Sequence, residues 1–280
     1  MTKTTDTQTY LVTGATGSVG RQVVRELQER GHAVRALTRN PSAADFPAGV
    51  EVVRGDLTDP KGLGPALEGV VGLHLITFTG AGYEPLATGP EIVEEVRKAG
   101  VKRVTVLHGG GPTPLEDAVR GSGLDWTVVR PVEFMANALG WADSILGENT
   151  VRAPFIDGLS AMVHEADIGA VVAIALTEDG HAGQDYLITG PQALTVRDKV
   201  AAIAAAVGRE IRLVELSEDE VAAQHSADGL DEATVAWLID IFKNTPPEGK
   251  TVIDTVERVT GHPARPFPQW ATENANAFTP

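Results

Sequence analysis

Tyr10-Leu-Val-Thr-Gly-Ala-Thr-Gly-Ser-Val-Gly20 is the stretch on which the reading of this chain turns. It sets Gly14, Gly17 and Gly20 three residues apart, where a short apolar run gives way to a helical pattern. Residues 8–12 read as a strand, and Val19, Val23, Val24 and Leu27 fall on one helical face that Gly31 closes. In such a strand–turn–helix the first glycine permits the tight turn and the second lets a pyrophosphate approach the backbone. The third lets helix and strand pack closely. The exposed N–H groups at the start of the helix, in the stretch Thr16, Gly17, Ser18, Val19 and Gly20, point at the phosphates with the favourable end of the helix dipole. The stretch predicts a bound dinucleotide.

Working outward, strands and helices alternate for about 150 residues. Residues 33–37 and 50–53 read as the second and third strands, and residues 70–76 as an apolar strand covered on both faces. Ile92, Val93 and Val96 mark a helix before a strand at 101–107. Leu115, Ala118 and Val119 mark another before a strand at 126–129. This beat predicts a doubly wound parallel α/β sheet, with the ligand crevice at the strand C-termini. Residues 1–150 are expected to form the nucleotide-binding domain. Residues 151–280 are expected to form a smaller, mainly helical substrate region packed with it as one unit.

In that later part, Thr195 with Asp198 forms a capping box opening a helix over 196–207, which Gly208 closes. Residues 211–216 read as a strand, and Ser217 with Glu220 as a second capping box. Val252, Val256 and Val259 suggest a last long helix before Gly261. Asp167 reads as the N-cap of a helix over 168–175. His164-Glu-Ala-Asp167 lacks the two-turn His/His spacing of zinc helices, so no metal is expected.

Composition narrows the function classes. The 280 residues are 42% apolar with a formal charge of −15, which argues against a nucleic-acid surface. No 18-residue apolar run is present and residues 1–9 are polar, so neither a membrane span nor a signal peptide is expected. There is no cysteine, which excludes disulfides, thiolate metal sites and cysteine nucleophiles. A cytoplasmic monomer or homodimer acting on a small molecule is the expectation.

The second strand ends in Leu37-Thr-Arg-Asn-Pro41, where NAD sites commonly carry a carboxylate for the ribose hydroxyls. Arg39, with no carboxylate beside it, suits a 2′-phosphate instead, so NADP(H) is expected to be preferred over NAD(H). An exposed surface arginine is the alternative. Asp56, followed by Leu57, ends the third strand, where a carboxylate can accept from the adenine amino group or serve as a turn aspartate.

These stretches carry a family resemblance. Val12-Thr-Gly-Ala-Thr-Gly-Ser-Val-Gly20, Val34-Arg-Ala-Leu-Thr-Arg39, Gly55-Asp-Leu57 and Ser122-Gly-Leu-Asp-Trp-Thr-Val-Val-Arg-Pro131 are similar to the atypical short-chain dehydrogenases of the NmrA-like group. Phe134-Met-Ala-Asn137, Asp167-Ile168 and Ile188-Thr-Gly-Pro-Gln-Ala-Leu194 extend the resemblance over nearly the whole chain. That group includes NADPH quinone and azo-dye reductases and nucleotide-sensing regulators. Ordinary short-chain dehydrogenases use a Tyr-x-x-x-Lys pair. Here Tyr10, Tyr83 and Tyr186 are followed four residues on by Gly14, Ala87 and Gly190, and the pair's places fall on Pro112 and Glu116.

The loops leaving the strand C-termini carry Thr77-Phe78, His108-Gly-Gly-Gly111 and Pro131-Val-Glu-Phe134. Thr77 and Phe78 are expected against the cofactor, and His108 is the candidate for proton transfer, since imidazole titrates near neutrality. A histidine that merely lines the nucleotide is its alternative. Glu116 reads as a solvated helix glutamate, with His108 or the substrate as other partners. Gly109, Gly110 and Gly111 would leave room above the nicotinamide. Phe134 and Asn137 would give the substrate one apolar wall and one amide, under a roof from a helix over 235–242. Two functions follow: an NADPH-dependent reductase of quinones, enones or azo compounds, or an NADP(H)-binding sensor without turnover. A scaffold used for isomerisation or dehydration is a third.

Overall fold

The computed structural model describes residues 7–79, 84–227 and 229–280, and Tyr83 lies outside them. The chain divides into two compact units. The first is Met1–Pro131 with Glu165–Ile188 and Val259–Gly261, and the second is Val132–His164, Thr189–Arg258 and His262–Pro280.

The first unit is built on β1 (Thr9–Val12), α1 (Ser18–Glu29), β2 (Ala33–Thr38), β3 (Val50–Arg54), the one-turn helix α2 (Gly64–Leu67), β4 (Val70–Ile76), α3 (Gly89–Lys98), β5 (Arg103–Leu107), α4 (Pro114–Arg120) and β6 (Asp125–Pro131). After an excursion into the second unit it regains α6 (Glu165–Thr177) and β8 (Gln184–Ile188), with α5 (Ala142–Glu148) and β7 (Thr150–Ala153) lying in between. Its seven strands are ordered β3-β2-β1-β4-β5-β6-β8 and their pairings are parallel. This is a doubly wound α/β sheet, as the alternating pattern predicts, and its first six strands take the order of dinucleotide-binding sheets.

Apolar side chains facing α3 and α4 form one core, with Leu11, Leu73, Leu75, Val104 and Val106 from the strands meeting Ile92, Val96, Leu115 and Val119. The other face is covered by α1 and α6. Helix α6 lies between α1 and strands β4, β5 and β6, so its residues are buried all round instead of along one stripe. Two expectations change here. The helix begins at Glu165, so Asp167 is not its N-cap but a fully buried first-turn residue. The division at residue 150 is also replaced, because α6 and β8 return to the first unit. Strand β8 pairs with β6 from Thr127↔Gln184 to Pro131↔Ile188, a long-range pairing no local pattern announces.

His74 sits in the middle of this sheet with no exposure. Its Nδ1 lies 2.9 Å from Thr105 Oγ1, and its Nε2 has no hydrogen-bond partner among the described residues. Protonation would put a charge in the core and add an N–H with nothing to receive it, and burial holds the imidazole down at about 4. The neutral form is therefore favoured by folding above the unfolded value of about 6.5, and that stabilisation is lost as pH falls towards 4. Between about pH 7 and about pH 4.5 the wild type should lose on the order of 2–3 kcal/mol more stability than His74→Gln. Urea unfolding at the two pH values measures the difference, and parallel losses would show that His74 does not titrate with folding.

The second unit holds α5 and β7, then α7 (Val196–Val207), β9 (Arg212–Glu215), α8 (Glu218–Ala227), α9 (Glu232–Lys243), the one-turn helix α10 (Pro247–Lys250), α11 (Thr255–Thr260, most of which lies here) and α12 (Phe267–Glu273). Strands β7 and β9 form a two-stranded parallel sheet. Its core is aromatic: Trp270 stacks on Phe267 at 5.3 Å between ring centres and meets Phe278 edge-on at 6.3 Å. Ile145, Val151, Val200 and Ile203 pack in the same core. Thr195 and Asp198 form a reciprocal capping box opening α7, and Ser217 with Glu220 does the same before α8. The helix expected to be the last is shorter than the valine spacing suggests and is followed by α12: α11 starts at Thr255, leaving Val252 outside it and exposed.

Candidate functional site

The turn after β1 follows from its glycines one at a time. Gly14 has φ +59°, which a side chain disfavours, and a Cβ there would come 2.7 Å from Ile76 of β4. A Cβ on Gly20 would lie 2.1 Å from the Gly14 carbonyl oxygen, so the start of α1 rests directly on the turn. Gly17 differs from both. Its backbone (φ −77°, ψ 171°) is open to any residue, and a Cβ would meet only the Gly14 oxygen, at 3.3 Å. Nothing inside the protein demands a glycine there, whereas a pyrophosphate approaching the backbone would.

Thr16, Gly17 and Ser18 are exposed, Val19 is buried so that only its backbone is on offer, and no side chain caps α1. These features fit a phosphate held by the first N–H groups of α1. The turn also stands where the sheet order reverses, since β1 lies between β2 and β4. Thr13 ties the two strands together beyond their ladder, its N–H donating to the His74 carbonyl and its hydroxyl receiving the Ile76 N–H.

Arg39 is exposed just past β2. Asp56 beyond β3 accepts the Thr58 N–H at 2.9 Å and its hydroxyl at 2.8 Å, an Asx turn. These bonds hold the Asp56 carboxyl below the usual carboxylate range, and the positive charge of Arg39 adds to the effect. Leu57 is buried, its carbonyl receiving the Thr88 hydroxyl. Arg39 is one exposed cation in this region, and Arg54 at the end of β3 is another, while Asp56 is already committed to its turn through Oδ1.

At the exits of β4 and β5, the Thr77 hydroxyl donates to the Leu107 carbonyl and is buried. The Phe78 ring lies against the Gly109 backbone, where a Cβ would come 1.6 Å from the ring. The space over Gly109 is thus taken by Phe78 and is not left for a ligand; Gly110 and Gly111 stay open. His108 follows β5, its N–H held by the Val129 carbonyl at 2.9 Å. Its Nδ1 lies 2.7 Å from Glu116 Oε1.

The expectation of a solvated Glu116 is corrected by this contact. The residue is 4% exposed, facing inward from the first turn of α4, and its own N–H is capped by Thr113 Oγ1. Thr113-Pro-Leu-Glu116 sets the helix start, and that start puts the glutamate one turn from the cap, on the His108 side. A carboxylate on Nδ1 favours the tautomer that carries its proton there and fixes the ring orientation.

In the second unit, Phe134 is half-buried and its backbone bridges to Val163, while Asn137 lines a cavity of about 500 Å³. Leu238 and Ile239 of α9 line the same cavity, so the helix expected as a roof and the expected amide meet there, without Phe134. His164 Nε2 pairs with Glu273 at 3.0 Å. Among the described residues no group of three or more acidic or histidine side chains is placed to hold a metal ion. No helix among them is long and apolar enough to cross a membrane.

Residues 14–179, from the first glycine to just past the end of the sixth helix, match the NAD(P)H-binding family. The chain belongs to that family. It is 36% identical over 96% of its length to the (4-alkanoyl-5-oxo-2,5-dihydrofuran-3-yl)methyl phosphate reductase of Streptomyces griseus, 99% of which is covered. It is 34% identical to the NAD(P)H azoreductase of Xenophilus azovorans, over 96% of this chain and 98% of that one. Among solved structures it resembles the NADPH-dependent quinone oxidoreductase of Escherichia coli in complex with NADPH, at a TM-score of 0.77. That likeness has 26% identity over 94% of this chain and 99% of the other. Two of these relatives are reductases and the third is an oxidoreductase, and their likeness runs through both units.

Proposed function

We propose that this protein is an NADPH-dependent reductase that transfers hydride to an electron-poor small molecule of the quinone, enone or azo type. The observation that carries the reading is His108, held at a strand C-terminus by a buried carboxylate, on the same edge of the sheet as the glycine turn. The names of the relatives support the reaction class. NADPH, when bound, supplies the hydride.

The chain's own residues hold the cofactor and finish the reaction. The backbone at Gly17, Ser18 and Val19 receives the pyrophosphate. Arg39 pairs with the 2′-phosphate. Hydride addition to a conjugated acceptor leaves an anion on oxygen or nitrogen, and His108 gives it a proton from Nε2 while Nδ1 stays bonded to Glu116.

The test is NADPH and NADH oxidation with a panel of quinones, enones and azo dyes, on the wild type and Arg39→Ala. The wild type should oxidise NADPH in preference to NADH with at least one acceptor. Losing a hydrogen bond to a charged group costs about 1.5–3 kcal/mol, so Arg39→Ala should weaken NADPH binding roughly tenfold or more and leave NADH nearly unchanged. Equal losses for both nucleotides would remove the 2′-phosphate role from Arg39. Binding of NADPH without oxidation by any acceptor would replace the reductase with a nucleotide sensor.

A further inference from the structure

The second unit contains a cluster that the reductase reading does not use. Lys199, in α7, is 4% exposed. Its Nζ donates to Ser160 Oγ at 2.7 Å and to Glu133 Oε2 at 3.2 Å, and the Ser160 hydroxyl donates to the same carboxylate oxygen. An ammonium out of water is costly unless paired and hydrogen-bonded, and Glu133 with Ser160 supplies both. Lys199 has three N–H donors, of which these contacts take two.

Lys199 and Glu133 also line the cavity of about 500 Å³, a volume within the range of small-molecule sites. Most of the remaining wall is apolar, including Trp141, Met162, Val221 and Leu238. Phe155, on the same wall, has φ +48°. A bulky side chain in that conformation is strained and persists only where its surroundings hold it, as such residues do at ligand sites. Here the Gly158 N–H closes a turn on the Phe155 carbonyl at 2.8 Å. The four charged residues of the wall, Glu133, Asp143, Arg152 and Lys199, sum to zero, and Lys199 is paired with Glu133.

We propose that this cavity binds an uncharged, largely apolar molecule bearing a carbonyl oxygen, which accepts the third N–H of Lys199. Apolar walls select the body of the ligand, the balanced charges disfavour an ion, and a donor-only ammonium selects an acceptor oxygen. The cavity holds the amide and the helix expected around the substrate, so the proposal rests on the reductase reading and deepens it, while a binding test without nucleotide can fail separately from turnover.

The test uses the full chain without nucleotide and two probes of one skeleton, the ketone 1-tetralone and its hydrocarbon tetralin, by equilibrium dialysis. The wild type should bind 1-tetralone at least about tenfold more tightly than tetralin. Lys199→Met should bring the ketone down to the level of the hydrocarbon and leave tetralin unaffected. Leu238→Trp, at a partly exposed position that leaves the cluster intact, should fill the cavity and weaken both probes. Equal binding of the two probes by the wild type would overturn the proposal. So would parallel losses in Lys199→Met, or unchanged binding in Leu238→Trp. If Lys199→Met fails to fold, the wild-type comparison and Leu238→Trp decide it.

Discussion

Gly17→Val should weaken NADPH binding roughly 100-fold while leaving the fold intact, whereas Gly20→Ala should destabilise the fold itself. A valine Cβ at Gly17 meets only the Gly14 oxygen at 3.3 Å, in a backbone conformation open to every residue. What it obstructs is the face from which a pyrophosphate must reach the N–H groups of α1. Losing two charge-assisted hydrogen bonds costs about 3 kcal/mol, or roughly 100-fold in affinity. At Gly20 even the methyl of alanine would stand 2.1 Å from the Gly14 oxygen and 2.8 Å from the Ala15 Cα, both backbone atoms that cannot swing aside. The helix must lift off the turn, at a cost of about 3 kcal/mol, the upper end for overpacking. Thermal unfolding and NADPH titration of both variants separate the two roles. Normal NADPH binding by folded Gly17→Val would remove the phosphate role from the turn.

The second large effect is expected at His108. As the proton donor, its loss in His108→Ala should lower kcat by about 10²–10⁴-fold and leave the affinity for NADPH unchanged. A few-fold loss would mean that solvent protonates the product and that His108 only lines the site. Glu116 acts through His108, and the two available substitutions distinguish positioning from simple packing. Glu116→Gln keeps an amide oxygen that can accept the Nδ1–H, so it should retain most of kcat. Glu116→Leu keeps the burial but not the acceptor, so it should fall towards His108→Ala with KM little changed. If Glu116→Gln and Glu116→Leu lose activity alike and in parallel with stability, Glu116 is structural.

The local sequence carried much of the fold. The strand at 8–12, the glycine spacing, the helical face of Val19, Val23, Val24 and Leu27, and the capping box at Thr195 and Asp198 are all recovered. Each rests on residues close together in the chain, whose backbone needs and periodicity are set before any tertiary contact forms. Asp167 misled because a buried first-turn aspartate and an N-cap have the same sequence signature, and only the packing of α6 between α1 and the sheet distinguishes them. The valines at 252, 256 and 259 misled because helical spacing marks a face without marking where the helix begins.

By itself, then, the sequence determined that this chain builds a parallel α/β sheet with a phosphate-type turn at its first strand, since strand–helix alternation and glycine sterics are local demands. Only the tertiary structure decided what the polar side chains do. Glu116 is solvated or buried according to which way α4 faces, and it lands against His108. Lys199 meets Ser160 across 39 residues and Glu133 across 66. Strand β8 joins the sheet only after the chain has passed through the second unit. An ionisable group's partner, and with it the group's chemistry, is set by whichever surface folding brings against it, and no period in the sequence encodes that surface.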